Sequence, residues 1–139
     1  MQQHITRDDG ERDLQTLQRS IQPILHPSTF VYGSLAADRL PLDVRPFCIV
    51  RESEGLTVVL ADEDAARLGM SRSRQWRLIT LTIHSSLEAV GLIALVSRVL
   101  AERNIACNVV SGYYHDHLLV PCDRADDAMA ALADLAAAA

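Results

Sequence analysis

The sequence has few aromatic residues, no run of basic residues and no long apolar segment. Phe, Trp and Tyr make up only 4% of the 139 residues, so the hydrophobic core must be built from aliphatic side chains. The formal net charge of −5 disfavours nucleic acid as a partner, because Lys and Arg must neutralise its phosphates. No stretch reaches the roughly 20 apolar residues that a membrane-spanning helix needs. We therefore expect neither nucleic acid nor a membrane as a partner.

The cysteines are also too few and too scattered for a disulfide framework or a zinc site. Cys48, Cys107 and Cys122 lie far apart, and none forms a CxxC pair. The first residues lack the basic and then apolar pattern of a signal peptide. An odd number of cysteines in such a chain predicts reduced thiols and a cytoplasmic location. Hydrophobic residues make up 49%, enough for one compact domain or two very small ones.

The first half of the chain alternates apolar runs with clear stop signals. Residues 1–12 are polar and are expected to be flexible. Pro23 and Pro27 should end the first helix, and Gly69 should end the second in a left-handed conformation. Asp62 is the expected N-cap of that second helix. The predicted elements are a helix near Asp13–Gln22, a strand over Thr29–Leu35, a loop over Ala36–Pro46, a hairpin of Phe47–Arg51 and Leu56–Leu60, and a helix from Asp62 to Leu68.

The second half has stronger periodicity. In Trp76–Ile83 apolar residues alternate with threonines, which predicts a strand with one buried face. Ser85 and Glu88 have the spacing of a capping box, in which each side chain satisfies a backbone N–H of the other. The later predicted elements are a helix from this box to about Arg103 with Asn104 as its stop, strands over Ile105–Gly112 and Leu118–Val120, and a last helix capped by Asp123.

Together these elements predict an α+β, ferredoxin-like fold made of two degenerate βαββα units. The first unit should span residues 13–72, with a loop in place of its first helix, and the second residues 73–139. Antiparallel sheets would pack against the helices. The strand Trp76–Ile83 is placed to close the first unit's sheet as well as to open that of the second.

The junction between a strand and a helix at His84–Leu92 is the first candidate site. Free N–H groups at a helix N-terminus favour a carboxylate or another anion, although Ser85 could act simply as a cap. Gly91 would lie inside the helix, where glycine costs about 1 kcal/mol relative to alanine. The absence of a side chain would leave room either for a ligand or for tight packing of the helix on the sheet. The helix is apolar on two faces, so a second unit or subunit should cover one of them.

Two segments carry a resemblance to a known family. His84-Ser85-Ser86-Leu87-Glu88-Ala89-Val90-Gly91-Leu92 and the segment from Asn108 to His117 resemble the bacterial tandem ACT-like proteins. Glu54–Leu60 is similar to that family's first repeat. The resemblance covers about residues 29–135. It implies a βαββαβ sandwich, and an amino acid bound where the first strand-to-helix loop of one unit faces a neighbouring unit.

The resulting hypothesis is a non-catalytic regulatory module that senses an amino acid or a similar carboxylate at an interface between ACT units and forms a homodimer. No cofactor and no metal are expected. A purely structural module for dimerisation or protein interaction, without ligand, is the alternative. The predicted ligand-binding residues are His84, Ser85, Ser86, Leu87, Val90, Gly91, Leu92, Asn108, Val109, Val110 and Ser111.

Other functions fit the sequence less well. His115 and His117 would share a face of an extended chain and could bind zinc, but no third ligand is evident, and such turn residues are more often solvated or hydrogen-bonded. Acylphosphatases share the topology but need an arginine in the loop after the first strand. The corresponding loop, His84-Ser85-Ser86, has none, and no carboxylate is evident to orient His84 for nucleophilic catalysis. We therefore do not expect an enzyme.

Overall fold

The computed structural model describes residues 10–139 as an α+β fold in which helices pack on an antiparallel sheet. None of the helices in this range is long and apolar enough to cross a membrane. Short 3-10 turns lie at Ala37–Arg39 and Cys122–Arg124. The helices and strands are α1 (Leu14–Arg19), β1 (Pro23–Leu35), β2 (Cys48–Glu52), β3 (Gly55–Ala61), α2 (Asp62–Arg67), β4 (Trp76–Leu81), α3 (Leu92–Glu102), β5 (Asn108–Ser111), β6 (Asp116–Pro121) and α4 (Ala125–Ala137).

The six strands form one continuous sheet rather than two. Their order is β2-β3-β1-β4-β6-β5, and every pairing is antiparallel. The long strand β1 pairs with β3 on one side and with β4 on the other, so it joins the two halves of the chain. As predicted, β4 therefore both closes the strands of the first half and opens those of the second. The second half has the order strand, helix, strand, strand, helix, whereas only a 3-10 turn separates β1 from β2.

One face of the sheet is covered by helices. Helices α1, α3 and α4 pack over the second half, and their apolar faces bury Leu17, Val96 and Leu132 completely. Sheet residues such as Ile79 and Leu118 complete this aliphatic cluster. Helix α2 covers a smaller cluster in the first half, which includes Val31, Val44, Val58, Leu60 and Ala65. The aliphatic core that the composition predicts is thus confirmed.

The other face of the sheet is strongly curved around a few aromatic side chains. Phe47, just before β2, and His117 on β6 have ring centroids only 5.2 Å apart. Four strand spacings separate β2 from β6, which is about 19 Å in a flat sheet. The sheet must curl for these rings to meet. Val59, Leu78 and Leu119 are buried at the base of the resulting hollow.

Several predicted boundaries need correction. Strand β1 starts at Pro23, earlier than predicted, and pairs irregularly between Leu25 and Thr29. Proline is tolerated at the first residue of a strand and at such irregularities, so Pro23 and Pro27 do not interrupt it. Strand β5 starts only at Asn108, because the N–H of Ile105 is still bonded to the carbonyl of Leu100 in the turn after α3.

Some of the predicted helix ends are confirmed and others are wrong. Asp13 caps α1 by accepting from the N–H of Thr16 at 2.9 Å, and Gly69 and Asn104 adopt positive φ as stops, as expected. Asp62 is not the cap of α2 but its first residue, and its carboxylate is bonded to Arg72 instead. Asp123 likewise lies in a 3-10 turn, one residue before Arg124, the N-cap of α4.

The capping box at Ser85 and Glu88 does not form, and α3 begins only at Leu92. A long-range interaction displaces it: the segment around Glu11 pairs with this loop in parallel. The N–H of Glu11 donates to the carbonyl of His84, and the N–H of Ser86 donates back to the carbonyl of Glu11, both at 2.9 Å. Glu88 forms an ion pair with Arg12. Gly91, at φ 105°, is the N-cap rather than an interior residue of the helix.

Candidate functional site

A small cleft lies where the predicted site was expected, between the loop after β4, the start of α3 and the turn before β6. Its volume is about 180 Å³. Helix α3, the loop and the two strands β5 and β6 each contribute to its wall. The lining residues are Ser85, Ser86, Leu87, Ala89, Gly91, Leu92, Ile93, Ala94, Ser111, Gly112 and Asp116.

The start of α3 gives the cleft a partial positive charge. The first N–H groups of a helix have no partner inside it. Gly91 has no side chain to cap them, and the first N–H bonded to the carbonyl of Gly91 is that of Leu95. Leu92, Ile93 and Ala94, which carry the preceding N–H groups, all line the cleft. An anionic group placed there would be stabilised by these dipoles.

Asp116 gives the same cleft a negative charge. It begins β6, pairs in register with Leu81 and Ser111, and is only 9% exposed. The hydroxyl of Ser85 donates a long hydrogen bond of 3.4 Å to its Oδ2. A carboxylate this buried is normally paired or fully hydrogen-bonded. Among the residues that the structure describes, one weak hydroxyl bond to Asp116 leaves acceptor capacity on its carboxylate for a cationic group.

Six of the predicted ligand-binding residues line this cleft. These are Ser85, Ser86, Leu87, Gly91, Leu92 and Ser111. Leu92 is buried and supplies backbone, whereas Leu87 is 56% exposed at the rim. Ser86 is also buried, and its hydroxyl accepts from the N–H of Glu88 at 3.1 Å.

The other five predicted residues lie outside it. The side chain of Val90 is 83% exposed on the loop, and Val109 packs into the core beneath the helices. Val110 lies on the curved face of the sheet. Asn108, at the far end of β5, lines a different hollow beside Tyr32 and Trp76.

His84 turns away towards the aromatic residues that follow β5. Its ring lies 5.3 Å from that of Tyr114, between centroids. Its Nε2 is buried and has no hydrogen-bond partner within residues 10–139. His84 therefore makes no relay with Ser85 and Asp116, so the described residues lack the geometry of a Ser-His-Asp triad.

Sequence reasoning missed Ala89, Ile93, Ala94, Gly112 and Asp116. Ile93 and Ala94 were missed because the helix starts at Leu92, so they occupy the first turn rather than the middle. Asp116 was not predicted; it lies between His115 and His117, which were interpreted as turn residues. A charged residue at the start of a strand was a usable signal, but the burial of Asp116 depends on pairing with β4.

The glycine in the cleft has a conformational role. Gly91 has φ 105°, which residues with a side chain rarely adopt. A Cβ added there would also lie 3.1 Å from Cδ2 of Leu14 on α1. Both observations favour the packing interpretation of Gly91. They also show that α1, from the first half of the chain, backs the cleft.

The histidines near the turn are held by protein groups. His117 Nδ1 and His26 Nε2 both lie 2.9 Å from the hydroxyl of Thr80. His115 Nδ1 lies 3.3 Å from the carbonyl of Ile83. Burial, followed by the nearby His115 and His26, lowers the pKa of His117. Within residues 10–139, no three His, Cys, Asp or Glu side chains are placed to hold a metal ion.

Comparison with known proteins gives two family matches. A family model described as an ACT domain matches residues 9–77, and a second ACT domain model matches residues 73–134. Among curated proteins no match is found.

Three solved structures, of two bacterial proteins and of an aspartokinase, have similar folds. Protein VC0802 of Vibrio cholerae, described as of unknown function and a possible transport protein, is 43% identical, with a TM-score of 0.77 over 86% of this chain and 92% of that one. Protein Atu0741 of Agrobacterium tumefaciens is 20% identical, with a TM-score of 0.67 over 84% and 89%. Aspartokinase α and β subunits are 10% identical, with a TM-score of 0.57 over 83% and 97%. The last two show similarity of fold alone.

Proposed function

Because this chain belongs to the ACT domain family, with two ACT domains in tandem, we propose that it binds a small amino acid in the cleft beside Asp116 and acts as a non-catalytic sensor. ACT domains are regulatory modules. The proposal assigns the ligand to the junction of the two units, since α1 of the first unit, and Glu11 just before that unit, back a cleft formed by the second. The division of the units near residue 73 remains a prediction.

The observation that carries the proposal is the pair of opposite charges in one cleft. The amides at the start of α3 suit a carboxylate, and Asp116 suits an ammonium group. Hydroxyls of Ser85 and Ser111 supply further polar contacts. A zwitterion satisfies both ends at once, whereas a simple carboxylate would leave the buried charge of Asp116 without a partner. This refines the sequence hypothesis, which had no acidic residue for the amine.

The volume limits the side chain of the ligand. At about 180 Å³ the cleft is smaller than the roughly 300 Å³ at which small-molecule pockets usually begin. We therefore propose a small amino acid such as glycine, alanine or serine.

A homodimer that covers the cleft is the second part of the proposal. Four large apolar side chains surround or adjoin the cleft while remaining exposed: Leu87, Val90, Tyr113 and Tyr114. Clusters of exposed apolar residues typically mark interfaces. The same patch would also serve a structural module that dimerises without ligand, which is the alternative function. The three free cysteines fit the proposed cytoplasmic location.

Calorimetric titration with glycine, alanine, serine and phenylalanine tests the proposal. We expect saturable binding of one or more of the three small amino acids, no binding of phenylalanine, and loss of affinity by at least about tenfold in Asp116→Asn. Asp126→Asn, which removes an exposed carboxylate on α4, is the matched control and should bind normally. Acetate and methylamine should each bind far more weakly than the zwitterion.

Sedimentation at several protein concentrations separates the two functions. A dimer that binds none of the amino acids supports the structural alternative, and a monomer that binds none overturns both. Equal affinities for the wild type and Asp116→Asn would also refute the charge argument.

A further inference from the structure

We infer that the protein has a second small-molecule site, for an aromatic carboxylate, at the opposite end of the β4–β6 ladder. Trp76 pairs with Pro121 at this end, whereas Leu81 pairs with Asp116 at the end that holds the cleft. A hollow of about 340 Å³ opens here. We call it the Trp76 hollow; its lining residues are Tyr32, Ser71, Ser73, Arg74, Trp76 and Asn108.

The wall of the hollow is aromatic. Trp76 is the single tryptophan of a chain with only 4% aromatic residues, and it is only partly buried. The ring of Tyr32 meets it edge-on, with centroids 5.7 Å apart and planes at 74°. An edge contact covers less of an indole than a stacked one does, so ring surface remains for a flat ligand. This surface favours an aromatic over an aliphatic ligand.

The charge of the hollow is positive. Arg74 is its single charged lining residue and makes no ion pair or hydrogen bond within residues 10–139. The carboxylate of Asp62 is engaged by the residues on either side of this segment, because it accepts from Nε of Arg72 and from Nε2 of Gln75. A guanidinium group binds a carboxylate through two parallel hydrogen bonds, which fixes both charge and orientation. Arg74 therefore selects an anion.

Neutral polar groups complete the site. Asn108 and Tyr32, which carry an amide and a hydroxyl, line the hollow together with two serines, whose Oγ atoms lie 3.2 Å apart. Burial raises the pKa of Tyr32, so its hydroxyl keeps its proton and can donate. A carboxylate has about four acceptor positions, and these groups supply donors for those that Arg74 leaves open.

Size and charge separate this site from the cleft at Asp116. The Trp76 hollow has about 340 Å³, within the range of small-molecule pockets, whereas the cleft has about 180 Å³. The carboxylate of Asp116 also disfavours a second carboxylate in the cleft, whereas Arg74 attracts one to the hollow. The adjoining hollow of about 500 Å³ shares Ser73, Arg74 and Trp76 and gives space for larger ring substituents. The inference is independent of the amino-acid proposal.

The single tryptophan makes the test direct. Fluorescence of Trp76 is recorded during titration with benzoate, with benzamide and with acetate, in the full-length wild-type protein. We expect saturable quenching by benzoate, and affinities at least about tenfold weaker for benzamide, which lacks the charge, and for acetate, which lacks the ring. Quenching by benzoate that does not saturate, or that benzamide reproduces equally, would overturn the inference.

Variants locate the response. Arg74→Gln should lose at least about tenfold in benzoate affinity, whereas Arg39→Gln, which removes an exposed arginine of the 3-10 turn, should bind as the wild type does. Asp116→Asn should also leave the benzoate titration unchanged, so failure of the amino-acid proposal is distinguishable from failure of this one. Normal benzoate binding by Arg74→Gln would refute the site. Circular dichroism of each variant verifies that it is folded.

Discussion

Replacing Gly91 with alanine should destabilise the protein, because this residue begins α3 in a conformation that side chains disfavour. Its φ of 105° and ψ of −15° lie outside the regions open to L-residues. A residue held in such a region costs about 1 to 3 kcal/mol. The new Cβ would also lie 3.1 Å from Leu14 Cδ2, closer than ordinary contact, although the end of a leucine side chain can shift. The cost of the unusual backbone conformation is therefore larger than that of the close contact with Leu14. We expect a loss of about 2 kcal/mol in the free energy of unfolding.

Urea unfolding followed by Trp76 fluorescence measures this loss. For a slope of about 2 kcal/mol per molar urea, the midpoint should fall by about 1 M. Gly69→Ala is the matched control, since Gly69 also has positive φ, at 67°, but no atom lies within 4 Å of its added Cβ. It should lose less than Gly91→Ala does. In a Leu14→Ala background the difference between the two glycine variants should shrink, because the steric term is then removed.

An unchanged midpoint for Gly91→Ala would refute the reasoning, since the helix start could then form without the unusual φ. A change in slope would instead show altered unfolded-state compactness and would not test it. The variant should also weaken amino-acid binding, because the amides of α3 would be displaced from the cleft.

Two further predictions follow from the titrating groups. Burial raises the pKa of Cys107 from 9.0 to about 11. With the other two cysteines replaced by serine, the alkylation of Cys107 by iodoacetamide at pH 8 should be about a hundredfold slower than that of free cysteine. A rate equal to that of free cysteine would contradict the burial of Cys107. The pKa of His117 is lowered from its ordinary 6.5, chiefly by burial. The unfolded chain then binds more protons, so His117 contributes stability that is complete above pH 6.5 and is lost as the pH falls towards the lowered value. Urea midpoints measured from about pH 7.5 to about pH 5 should fall less steeply in His117→Gln, and identical slopes would exclude this role.

Much of the fold is encoded locally. The strand β4, the helix α4 and the hairpin of β2 and β3 each follow from residues close in sequence, and each was confirmed as an element. The single buried face predicted for β4 was wrong, because consecutive residues from Leu78 to Leu81 are all buried. The stops at Gly69 and Asn104 were also predictable, because positive φ depends on the residue itself. The missing helix after β1 followed from the prolines of that segment.

The start of α3 was not predictable in this way. Ser85 and Glu88 have an ideal local pattern for a helix cap, yet the chain uses both residues elsewhere. Ser85 bonds to Asp116, and Glu88 pairs with Arg12. Two backbone hydrogen bonds, from Glu11 to His84 and from Ser86 to Glu11, hold this loop in a non-helical conformation. Contacts across more than seventy residues thus outweigh a cap worth about 1 kcal/mol.

The sequence by itself determined the secondary structure of most strands, the aliphatic core and the ACT family, because these depend on residue type and short spacing. Only the tertiary structure decided that the strands merge into one curved sheet and that Asp116 meets the start of α3. The physical reason is that sheet curvature, and the burial of a charge beside a helix end, arise from pairings between distant segments. Such pairings leave no periodic pattern in the residues that make them.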